Sequence, residues 1–204
     1  MGESASIIEW HVAGRPVAGE ERSGDQGLVL VSEHDALVAA VDGVGRGTAA
    51  ASAARAAIDA LRVGPRDDVA ALAEQCHEAL RPTRGAAIGL AAFRGDATVT
   101  WLGVGNVTAR LVRSSEGFPA AGHWLAGMSG APGDELPELR PVTLPVRRGD
   151  VLVLATDGVD DHFADDLAAT GGCEVIARRL LEDYARPTDD ALVVVARYLG
   201  NGAA

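Results

Sequence analysis

A chain of 204 residues is long enough for one full hydrophobic core and short for two, and its hydrophobic share of 48% fits a globular protein. The formal charge of −11 argues against a nucleic-acid partner. All 18 basic residues are arginine, which excludes the chemistries that need lysine, P-loop phosphate binding and Schiff-base catalysis.

The first residues, Met1-Gly2-Glu3-Ser4-Ala5-Ser6, fit a loose myristoylation pattern but run straight into a strand-like segment. They lack the basic and apolar regions of a signal peptide. No apolar run approaches the roughly 18 residues that span a bilayer, so no membrane partner is expected. Cys76 and Cys173 each sit in a helical pattern, which suits buried thiols in a reducing compartment and a cytoplasmic protein.

Ile7 to Val12 reads as a strand, followed by a loop at Gly14, Pro16 and Gly19. Leu28 to Val31 and Ala36 to Val41 read as two more, joined by the turn Ser32-Glu33-His34-Asp35. Asp25 stands just before one of these strands and Asp42 just after the next, so an antiparallel pair puts both at the same sheet end. Asp42-Gly43-Val44-Gly45-Arg46-Gly47 then leads into an Ala-rich helical pattern from Thr48. A dinucleotide loop would need glycine where Thr48 stands, and a hairpin would need a strand where the helix begins. A carboxylate at the mouth of such a loop repels a bare phosphate but suits a divalent cation.

Ala51, Ala54, Ile58 and Leu61 form the stripe of a first helix that stops at Gly64-Pro65. A second helix starts near Asp67 and Asp68, carries Val69, Leu72, Cys76 and Leu80, and stops at Pro82, with His77 read as a surface residue. Ala86 to Phe93, Thr98 to Leu102 and Val107 to Val112 read as three strands whose short links predict an antiparallel meander. Ser114 to Pro141 reads as a long surface excursion holding a short strand, with His123 and Trp124 as packing residues. After a strand over Pro141 to Val146, the unbroken apolar run Val151 to Ala155 predicts a strand buried on both faces, ending in Thr156-Asp157-Gly158. A helix from about Gly172 to Ala185 precedes Asp189-Asp190 and a last strand, Ala191 to Tyr198.

Asp25, Asp42, Asp157 and Asp189 thus lie at strand borders, and none has a His or Cys at ligand spacing. All-oxygen sites select hard cations such as magnesium or manganese. Without metal such a cluster repels itself and raises some of its pKa values; with two ions it becomes a clamp for a phosphoryl group.

The stretches Ser23-Gly24-Asp25, Ala40 to Gly47, Gly103-Val104-Gly105-Asn106-Val107, Leu154 to Val159 and Thr188 to Leu192 resemble the metal-dependent PPM (type 2C) protein phosphatases. The likeness is to the bacterial SpoIIE-like branch, and within it to the stand-alone RsbX-like phosphatases of stressosome signalling. It implies an α+β fold, a four-layer α-β-β-α sandwich of two antiparallel sheets flanked by helices, with residues 1–204 as one phosphatase domain. It also implies two manganese or magnesium ions. Asp42 would bridge them, the Gly43 carbonyl would join one, Asp157 and Asp189 would hold the other, and Asp25 would ligate directly or through water. A metal-bridging hydroxide would attack phosphorus, with Asp42, Asp157 and Asp189 as the catalytic set. In this pattern Asp190 faces away and matters less.

Two positions depart from the eukaryotic members. Their proton-donating His is Val44 here, which leaves leaving-group protonation to water, and their phosphate-gripping Arg has no clear match, Arg22 and Arg46 being candidates. The implied substrate is a phosphorylated signalling protein, with STAS-domain stressosome proteins as the expected partners. A catalytically weak binding module and a hydrolase of small phosphoesters remain the alternatives.

Overall fold

The computed structural model describes residues 6–114, 123–164, 167 and 170–200. β1 (Ile8–Arg15), β10 (Ala191–Tyr198), β9 (Val151–Ala155), β6 (Thr108–Val112) and β7 (His123–Leu125) lie side by side in that order as one antiparallel sheet. β2 (Asp25–Val31), β3 (Asp35–Gly43), β4 (Ala86–Arg94), β5 (Thr98–Val104) and β8 (Val142–Pro145) form the other. Along β3 successive side chains point to opposite faces, and both faces are covered, which is why its sequence is apolar without alternation. Val38 and Ala40 meet Phe93, Trp101, Leu154 and Val194 between the sheets. Leu37, Ala39 and Val41 face α1 (Gly47–Val63) and α2 (Val69–Leu80). On the far side of the first sheet, Val153, Val193 and Val195 pack against Ile176 and Leu180 of α3 (Cys173–Tyr184). The result is the expected four-layer α-β-β-α sandwich.

The helix ends follow local chemistry. α2 starts where the Asp68 side chain accepts hydrogen bonds from the N–H groups of Ala70 and Ala71, the usual use of an Asp N-cap. The long α1 buries a stripe of alanines, Ala50, Ala53, Ala54 and Ala57, and small side chains let its axis lie close to β3. No helix among the described residues is long and apolar enough to cross a membrane.

Four readings of the sequence need correction. β1 continues past Val12 to Arg15 because Gly14 and Arg15 still pair with Leu192 and Ala191, and a side chain at Gly14 would press on Leu192 at 3.0 Å. β6 does not continue the meander of β4 and β5 but belongs to the other sheet. Gly105, at a φ of +94°, turns the chain across the sandwich, and Val107 drops into the core between the sheets. His77 is no free surface residue, since its Nδ1 accepts the N–H of Gly133 at 2.9 Å and ties that loop to α2. His123 is exposed, and Trp124, 50% exposed, packs against a cation instead of the core, its ring 5.2 Å from the Arg110 guanidinium.

Candidate metal centre

Asp25 and Asp42 are direct partners across the β2–β3 ladder, so their side chains leave the same face at the same end, as the antiparallel pairing requires. The same end of the sandwich receives the turn after β9, with Thr156, Asp157 and Gly158, and the turn before β10, with Asp189 and Asp190. Thr156 joins the two sheets there. Its hydroxyl donates to Asp25 Oδ2 at 2.6 Å and accepts the N–H of Leu192 at 2.9 Å. Asn106, delivered by the crossing at Gly105, donates from Nδ2 to Asp157 Oδ2. The four carboxylates singled out in the sequence are therefore brought into one electrostatic cluster, with Asp25 and Asp42 each repelled by Asp157 and Asp189.

Both Asp-Gly junctions owe their glycine to packing. A Cβ on Gly43 would stand 2.2 Å from the carbonyl oxygen of Ala50 in α1, and one on Gly158 would stand 1.7 Å from the carbonyl oxygen of Asp190. The backbone crosses so closely at each junction that only glycine fits. At Gly43 the constraint comes from the first turn of α1.

Asp190 has a larger part than its sequence pattern implies. It is buried, and its two oxygens accept the N–H groups of Val17 at 2.7 Å and Gly24 at 2.8 Å. The Gly24 carbonyl in turn accepts the N–H of Gly43 at 3.0 Å. Asp190 is the clamp that fixes the 17–24 loop and, through it, Asp25. Nothing in the local sequence marks this role, because both donors come from the far end of the chain.

Burial holds the Asp25 carboxyl up at about 7, against the lowering effect of the Thr156 hydroxyl and with help from Asp190, Asp157 and Asp189. Burial likewise lifts Asp42 to about 8, reinforced by Asp25, Asp157 and Asp189 and by the hydrogen bond it shares with Asp25. Both folded values lie above the unfolded value near 3.8, so the native state holds more protons in this window. The stability they contribute is full below about pH 4 and is lost as pH rises through about 7 to 8. In chelator, the melting temperature is expected to fall from pH 5 to pH 8, and Asp42→Asn is expected to flatten that slope. A metal-free profile that rises over the same range would contradict the cluster.

Asp42, Asp157 and Asp189 line a cavity of about 520 Å³ together with Val44, Gly45 and Asn106. Gly127 and Ser129 to Ala131 also line it, a second feature the sequence did not announce, their segment bolted on by the hydrogen bonds Met128 N–H to Gly103 O and Gly105 N–H to Met128 O. Of the two candidate phosphate-binding arginines, Arg46 is occupied by the Thr188 carbonyl at 3.0 Å, and Arg22 lies with Asp25 and Arg55 on a separate cavity of about 610 Å³.

The donor set fits hard divalent cations. The acceptors are carboxylate oxygens, Asp157 and Asp189 help to raise the pKa of Asp25 and Asp42, and among the described residues no cationic side chain lines the 520 Å³ cavity to neutralise them. Among the described residues no three His, Cys, Asp or Glu side chains close into a ready-made cage. Magnesium-type ions keep several waters and take one or two carboxylates each, so they do not require such a cage.

Comparison with solved structures places this geometry. A chain from work on the bacterial stressosome as a modular system adapted to control secondary-messenger signalling superposes with a TM-score of 0.84 at 26% identity, over 93% of this chain and 99% of that one. RsbX in complex with magnesium gives 0.84 at 22% identity, over 97% and 98%. The PP2C phosphatase domain and a regulatory fragment of SpoIIE from Bacillus subtilis gives 0.75 at 18%, over 97% and 64%. Comparison with curated protein sequences returns no match. The model of the family described as stage II sporulation protein E (SpoIIE) matches residues 32–199, a span that includes Asp42, Asp157 and Asp189, and the chain belongs to this family of PPM-type protein serine/threonine phosphatases.

Proposed function

We propose that this phosphatase uses two manganese or magnesium ions, which Asp42, the Gly43 carbonyl, Asp157, Asp189 and Asp25, the last directly or through water, would hold. The observation that carries the reading is the meeting of these carboxylates at one end of the sandwich, where Asp25 and Asp42 pair across the ladder. Bound there, such ions would supply a lowered pKa for water and neutralisation of charge on a phosphoryl group in transfer. The chain supplies the frame: Thr156 and Asn106 hold Asp25 and Asp157 in orientation, Asp190 fixes the loop before Asp25, and Gly43 and Gly158 allow the close backbone crossings. Among the described residues the cavity wall offers Val44, an amide and a serine but no histidine, so the departing serine or threonine oxygen takes its proton from water.

The proposed substrate is a phosphorylated signalling protein of the stressosome type, a STAS-domain protein in the cytoplasm, with residues 1–204 acting as one phosphatase domain. The likeness to a stressosome chain and to RsbX supports that choice. Phosphate release from a phosphoserine STAS protein is expected to require manganese or magnesium and to stop in excess EDTA. Undiminished turnover in EDTA would contradict the metal centre, and turnover of aryl phosphate without any on the phosphoprotein would contradict the substrate.

A further inference from the structure

Arg84 lies in the turn between α2 and β4, a part of the chain that no motif singles out. The turn is rigid: the Thr83 hydroxyl donates to Leu80 O at 2.7 Å and accepts the Gly85 N–H at 3.0 Å, and Gly85 takes a left-handed φ of +85°. It is also joined to the site, because the Gly85 carbonyl accepts the N–H of Val44 at 3.0 Å, two residues after Asp42. The Arg84 side chain lies across Gly45, where a Cβ would meet its Nη1 at 3.2 Å and its Cδ at 3.9 Å. Gly45, at a φ of +107°, is part of the wall of the carboxylate cavity. Among the described residues no hydrogen bond or ion pair engages the Arg84 guanidinium, whereas Arg46 and Arg55 are committed to Thr188 and Asp59.

A phosphomonoester dianion that approaches a chain of net charge −11 meets a repelling field. An exposed, unpaired guanidinium at the rim offsets that repulsion, and its planar fork matches two phosphate oxygens. We propose that Arg84 binds the phosphoryl group of the substrate, the part assigned from sequence to Arg22 or Arg46. The inference rests on the phosphatase reading and adds to it the group that receives the phosphate.

The test uses the full chain with manganese, an aryl phosphate as substrate, inorganic phosphate as competitive inhibitor, and phosphoserine peptides with and without acidic flanks. Loss of one charge-assisted contact is expected to raise both the KM for aryl phosphate and the inhibition constant of phosphate by about tenfold to a hundredfold in Arg84→Ala. Arg84→Lys is expected to recover part of each, since it keeps the charge and loses the fork. Because Arg84 is exposed and has no hydrogen-bond or ion-pair partner among the described residues, circular dichroism is expected to be unchanged in both variants. Both constants within twofold of wild type, or a defect confined to peptides with acidic flanks, would overturn the assignment to the phosphoryl group. A wild type inert toward every phosphomonoester would instead overturn the phosphatase reading, and this inference with it.

Discussion

Asp42→Asn is expected to lower the rate of phosphoester hydrolysis by on the order of a thousandfold or more, the scale seen when one member of a preorganised catalytic set is removed. Asp42 faces Asp25 across the ladder and feels Asp157 and Asp189, so a single lost charge there reaches all three of the other carboxylates. The fold is expected to survive, because an amide fills nearly the same volume and because the metal-free cluster loses a repulsion. Steady-state rates at saturating manganese, read beside a denaturation curve, check both halves. A folded variant within tenfold of wild type would remove Asp42 from the centre.

Gly158→Ala is expected to have the largest effect on stability. The added carbon would stand 1.7 Å from the Asp190 carbonyl oxygen, a backbone atom that no rotamer change can move. Relief demands that the β9 and β10 ends separate, which breaks the Arg186 N–H to Gly158 O bond and pulls Asp157 away from Asp189. A cost above about 4 kcal/mol belongs to this class of change, and a melting temperature lower by about 10 °C or more follows for a chain of this size. A drop of only a few degrees would mean that the turn has slack not visible in the structure. Asp190→Asn gives a milder version of the same failure, since its amide cannot accept from both Val17 and Gly24 as the carboxylate does.

The carboxylates were legible in the sequence because each borders an apolar strand, where alternation and strand ends fix both position and direction. The pairing of Asp25 with Asp42 followed from two strands and a short turn, and the register bears it out. What the sequence hid is nonlocal. The Gly105 crossing looks like a hairpin until the chain is seen to change sheets, and that change is what brings Asn106 to Asp157. Asp190 reads as the idle half of an acidic pair, since its partners at Val17 and Gly24 are contributed by the opposite end of the chain. Thr156 stood inside a recognised stretch, yet its role as the bolt between sheets depends on β2 and β10 meeting at that hydroxyl. Arg84 was silent for the same reason, because only the packing of the α2–β4 turn on Val44 sets it over Gly45.

Anomalous diffraction from manganese-soaked crystals of the wild-type chain tests the metal centre most directly. Two peaks are expected beside Asp42, one of them within coordination distance of Asp157 and Asp189 and the other near the Gly43 carbonyl and Asp25. Manganese absent from this end of the sandwich, or found only at scattered surface carboxylates, would contradict the centre and the catalytic roles built on it.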